Sequence, residues 1–211
     1  MEYPVKFLMT ICTVSMAGAL AGCAGVSADV QASGGLPSMG AASPSAAASA
    51  YRFARTPAQA DAGDNLPYEA LLREGLAQRG FQQGADAARY LVSAAWASRP
   101  ADVTVATGDC AGGCAPAEEG PSLPWFGHRY VHTLTLRFFT LPDGHEAYKV
   151  STEKRDRNPD AHQALPYLVA SALAKMPYAG APQWRVKMKE ATPAGAMPEV
   201  TSVTPLTPVT P

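Results

Sequence analysis

Residues 130–153 read Tyr-Val-His-Thr-Leu-Thr-Leu-Arg-Phe-Phe-Thr-Leu-Pro-Asp-Gly-His-Glu-Ala-Tyr-Lys-Val-Ser-Thr-Glu, and this stretch decides the fold. Tyr130, His132, Leu134, Leu136 and Phe138 fall at alternate positions, the period of one face of a strand. Pro142-Asp143-Gly144 is a turn, and Ala147 to Glu153 can return antiparallel. A long hairpin with one apolar face needs a layer to cover it, and two helical patterns supply one. In the first, Tyr68, Leu71, Leu72, Gly75 and Leu76 share a face; Asn65 can cap it, Pro67 suits its first turn, and Gly80 is placed to end it. In the second, Leu165, Leu168, Val169, Ala172, Leu173 and Met176 share a face. Its start is expected near Leu165-Pro166, since a proline deeper in a helix breaks a hydrogen bond, and Pro177 closes it.

Further strands are expected at Tyr51 to Arg55, at Tyr90, Val92, Ala94 and Trp96, and at Trp184, Val186 and Met188, where Arg185, Lys187 and Lys189 form the wet face. The order is β-α-β-β-β-α-β. It predicts an α+β, two-layer sandwich, a mostly antiparallel sheet with two helices on one face. The domain spans residues 51–190. Residues 24–50 are rich in Ala, Ser, Gly and Pro with Asp29 as their charge, so 23–50 reads as a flexible tether. Residues 191–211, where Thr-Pro recurs, read as a disordered tail. Arg99 to Gly127 reads as a long loop.

The amino terminus carries a targeting signal. Lys6 precedes an apolar run from Phe7 to Leu20, and Leu20-Ala21-Gly22-Cys23 follows. This resembles a bacterial lipobox. The run is too short for the roughly 20 residues of a spanning helix. The resemblance makes residues 1–22 a signal peptide cleaved after Leu20, Ala21 and Gly22, and makes Cys23 the lipidated first residue. Ala24 and Gly25 follow Cys23 in place of an aspartate. That implies the outer membrane, with the domain anchored by lipid and facing the periplasm or, alternatively, the surface.

The matching pieces extend into the domain. They are Tyr51-Arg52-Phe53, Ala77-Gln78-Arg79-Gly80-Phe81, Ala88-Arg89-Tyr90-Leu91-Val92-Ser93, Thr133-Leu134-Thr135-Leu136, and Leu173-Ala174-Lys175-Met176-Pro177. Over about residues 51–178 the chain resembles the bacterial lipoprotein family filed as domain of unknown function 4136. Members often place Trp in the returning strand where this chain has Tyr148. The family has no established activity, so the resemblance implies fold and location but no catalytic residues.

Charge excludes some partners. The chain carries 17 basic and 18 acidic residues, a formal net charge of −1. No basic excess calls for nucleic acid. Cys110-x₃-Cys114-x₁₃-His128-x₃-His132 fits a loose zinc template. Pro116, Pro121 and Pro124 prevent the helix that such a finger needs. On a strand, His128 and His132 would stand roughly 13 Å apart. In an oxidising compartment Cys110 and Cys114 read instead as a disulfide, turning at Gly112-Gly113 and shaping the loop tip. Trp125 and Phe126, near Glu118 and Glu119, are candidates for partner contact, or else they tuck back onto the sheet.

Ser151-x-x-Lys154 copies the spacing of penicillin-binding enzymes, but on a strand the two side chains should point to opposite faces. His145 and His162 read as surface residues, and Lys154 to Arg157 as a solvated strand end. No catalytic residue and no cofactor is expected. The expected function is that of a non-enzymatic envelope lipoprotein that contacts a protein or the cell wall. A carrier or sensor of a small molecule or metal is the alternative, and an envelope hydrolase comes last.

Overall fold

The computed structural model describes residues 25–36, 49–61, 66–84, 88–101 and 129–206. The fold is α+β. Eight strands are β1 (Val26–Gly34), β2 (Ala50–Phe53), β3 (Gln82–Gln83), β4 (Tyr90–Pro100), β5 (Tyr130–Thr140), β6 (Glu146–Asp156), β7 (Gln183–Met188) and β8 (Val200–Pro205). The helices are α1 (Pro57–Asp61), α2 (Pro67–Ala77) and α3 (Ala161–Leu173). All strands form one sheet in the order β3-β2-β4-β5-β6-β1-β7-β8. Pairing is antiparallel except where β2 meets β3 and β4.

The 130–153 stretch folds as its alternation dictates. His132, Leu134, Leu136 and Phe138 are buried on one face of β5, and Tyr148, Val150 and Thr152 continue that face on β6. Helix α3 covers it with Leu165, Leu168, Val169, Ala172 and Leu173. Helix α2 packs against α3 at Gly75, where a Cβ would stand 2.3 Å from Leu173 Cδ1. Arg79 binds the two helix ends together: its Nε donates to the Leu173 carbonyl at 2.6 Å and its Nη1 to that of Gly75 at 2.8 Å. The turn that follows α2 closes at Gly80 with φ 81°, and Phe81 N–H returns to the Leu76 carbonyl, the left-handed closure that glycine allows.

Several expectations need correction. Part of the presumed tether, Val26–Gly34, is a strand in the middle of the sheet, paired with both β6 and β7. Val26, Ala28, Val30 and Ala32 alternate inward while Asp29 on the wet face pairs with Arg185. The alternation is complete, but its residues are small and the segment reads as low complexity. Part of the presumed tail, Val200–Pro205, pairs antiparallel with β7. Its proline sits at an edge, where the missing N–H costs no ladder bond. Helix α3 starts at Ala161, ahead of Leu165-Pro166, because the Asp160 carboxylate accepts the His162 N–H at 2.9 Å and caps it. Pro166 lies inside that helix and is buried. Lys154 is buried beside Asp156, not solvated. Strand β3 and helix α1 add to the expected order. The α2 helix opens after Leu66 with no side-chain cap, and Asn65 lies outside the described residues.

Candidate functional site

Strand β2 covers only the first part of β4. Tyr51, Arg52 and Phe53 pair with Tyr90, Leu91 and Val92, and the Ala54 N–H then donates to the Val92 carbonyl at 2.8 Å. Backbone groups alternate sides along a strand, so that last bond marks the even-numbered residues as facing the β2 side. Ala94, Trp96 and Ser98 therefore turn their N–H and C=O groups to an edge that no described strand occupies. A groove of about 610 Å³ runs along this edge. Ser93 to Trp96 form one wall, and Arg55, Gln59 and Tyr68 stand among the residues opposite. Trp96 Nε1 is buried and has no hydrogen-bond partner among the described residues. A row of outward backbone groups beside a half-apolar groove can accept an extended chain as a further strand.

The groove's far wall is held by a buried ion pair. Arg55 grips the Glu69 carboxylate with two bonds, Nε to Oε1 at 2.8 Å and Nη2 to Oε2. Glu69 is only 2% exposed, and Arg73 stands 3.9 Å away. Such a pair fixes geometry more than it adds stability.

A second polar cluster lies further along β4. His132 is fully buried, with Nδ1 2.9 Å from Ser98 Oγ. Its Nε2 faces two acceptors, Asp156 Oδ1 at 3.2 Å and the Asn158 carbonyl at 3.0 Å. Two acceptors require the proton on Nε2, so Nδ1 accepts from the Ser98 hydroxyl. Burial lowers the His132 pKa below its ordinary value against the opposing bond to Asn158, and the ring is neutral near pH 7. Hydroxyl, imidazole and carboxylate stand in the order of an acyl-transfer relay. Neither Ser98 nor His132 lines the groove beside β4. The cluster's local work is to satisfy a buried ring and join β4, β5 and the end of β6.

Cys23, Cys110, Cys114, Trp125, Phe126, His128 and the cleavage residues Leu20, Ala21 and Gly22 lie outside the described residues. His132, the one described member of the zinc template, has both ring nitrogens engaged. No metal-binding group of side chains occurs among the described residues. Ser151 and Lys154 occupy opposite faces of β6: the Ser151 hydroxyl meets Thr135 Oγ1 at 3.0 Å on the open face, and Lys154 lies under the Tyr167 ring. His145 is exposed; His162 is exposed with its ring against Trp96. No described helix is long and apolar enough to cross a membrane. The stretch of β4 edge that no described strand occupies is not legible in the sequence, because it depends on where β2 stops.

No family model and no curated protein matches the chain. Among solved structures it is similar to a PDZ domain protein from Parabacteroides distasonis ATCC 8503, with 10% identity and a TM-score of 0.46. That match covers 78% of this chain, which spans about 39% of the other's length. It is also similar to PelC from Paraburkholderia phytofirmans, described as a dodecamer, with 14% identity and a TM-score of 0.36 over 70% of this chain and 95% of that one. Likeness at this level carries no functional argument.

Proposed function

We propose that this protein is a non-enzymatic lipoprotein of the bacterial envelope, held to the outer membrane through lipid on Cys23 and working by contact with another envelope component. The observation that carries the reading is the lipobox Leu20-Ala21-Gly22-Cys23 behind a basic residue and a short apolar run. The resemblance to the lipoprotein family of unknown function agrees with it. The edge of β4 that no described strand occupies supports the contact role. It offers the backbone groups of Ala94, Trp96 and Ser98 to an extended segment of a protein partner, beside a groove of about 610 Å³.

The test is intact mass of the protein extracted from its own envelope, first native and then denatured. A denatured mass with acyl chains on Cys23 and no extra native mass is the expected result. An unmodified Cys23 refutes the anchor. A native-only increment matching a metal or small ligand favours the carrier reading instead.

A further inference from the structure

Cys23 stands three residues before Val26, and Val26 begins a strand in the middle of the sheet. Three extended residues span at most about 11 Å. The lipid-bearing residue therefore cannot lie far from one particular end of the sheet. At that end β1 and β5 begin, and β4, β6 and β7 stop: Val26 pairs with Met188, and Tyr130 with both Pro100 and Asp156.

The charges at this rim are not balanced by pairing. Arg129 and Arg157 are exposed and make no ion pair among the described residues. Among the neighbouring acids, Asp156 is engaged by His132 and Lys154 and Glu199 by Lys189, whereas Asp160, the cap of α3, is exposed and keeps its charge. Glu190 is left exposed. A lipid on Cys23 holds this rim toward the surface, and an exposed arginine on it that comes within roughly 8 Å of anionic headgroups is attracted to them at physiological salt.

We infer that this rim is a bilayer-facing surface, with Arg129 and Arg157 resting on anionic lipid headgroups. The inference rests on the lipid-anchor reading and adds an orientation to it. Strands β4, β5 and β6 then stand away from the membrane, and the Leu141–His145 turn is at the far end. An eleven-residue strand spans roughly 35 Å, so the two ends are easily told apart.

The test is the isotopically labelled full lipoprotein in bilayer discs of phosphatidylethanolamine and phosphatidylglycerol that carry a spin label on the headgroup. Amide signals of Tyr130, Arg157 and Asn158 should be attenuated about tenfold or more relative to Gly144, given that separation. The double variant Arg129→Glu/Arg157→Glu should weaken the contrast in a salt-dependent way. Mass measured on the same sample separates the two ideas. An acylated protein attenuated equally at both ends overturns the orientation alone, and an unacylated Cys23 overturns both. Attenuation unchanged in the double variant overturns the arginine contact.

Discussion

Gly34 closes β1 with φ +80°, and a Cβ built on it would stand 2.2 Å from the Ala147 carbonyl oxygen and 3.0 Å from its carbon. Those are backbone atoms of the neighbouring strand β6 and cannot swing aside. Gly34→Ala should therefore cost about 1–2 kcal/mol for the left-handed conformation. Overlap with the β6 backbone should add about 1–3 kcal/mol. The sum, about 2–5 kcal/mol, lowers the melting temperature by about 5–15 °C for a domain of this size. Gly35 is the internal control, since a Cβ there meets nothing within 4 Å. Gly35→Ala should change the stability by less than about 1 kcal/mol. The assay is urea unfolding followed by tryptophan fluorescence, with both variants in parallel. Equal midpoints for the two would refute the placement of residues 26–34 in the sheet and restore a flexible tether.

Tyr148→Phe removes the hydroxyl that accepts the buried Tyr178 N–H at 3.0 Å, and should cost about 1–3 kcal/mol by the same assay. A loss below a few tenths would mean that water replaces the hydroxyl. Because His132 is held neutral by burial, its contribution is complete above the ordinary histidine value of 6.5. It is lost as the pH falls from there toward the lowered folded value, at up to about 1.4 kcal/mol per pH unit. His132→Gln should flatten that acid limb, and an unchanged slope would assign it to other groups. Arg55→Met should cost about 2–3 kcal/mol by leaving the Glu69 carboxylate buried, less than for a fully enclosed pair because Arg55 is 26% exposed. Adding Glu69→Leu should recover most of the loss, and additive costs would show that the pair is not coupled.

How much was legible follows from how locally each feature is encoded. The β5–β6 hairpin, the apolar stripe of α3 and the alternation of β7 are strong period signals and appear in the structure close to where the sequence puts them. Strand β1 has an equally regular alternation, but Val and Ala beside Ser, Asp and Gln give it little hydrophobic contrast. Its burial comes from β6 and β7, distant in sequence. Helix α3 starts at Ala161, ahead of Leu165-Pro166, because the Asp160 cap and a buried proline inside the helix coexist. Glu69 belongs to the buried side of α2 yet reads as surface, since only the fold brings Arg55 to it. The Ser98–His132–Asp156 cluster depends on cross-strand register, so the zinc spacing drew attention to His132 for the wrong reason.

The placement of β1 also sets an order of events. Asp29 and Arg185, bound to each other across β1 and β7, are 156 positions apart. The first of the described strands thus has no partner for its edges until β6 and β7 have been made. Contacts of such long range are slow to form. Without β1, the sheet is two fragments, β3-β2-β4-β5-β6 and β7-β8, with an unpaired edge on each. Soluble versions trimmed at residue 50 to discard an apparent leader would keep the two fragments and lose the strand that joins them. Their bare edges would pair with one another between molecules, and the product would aggregate.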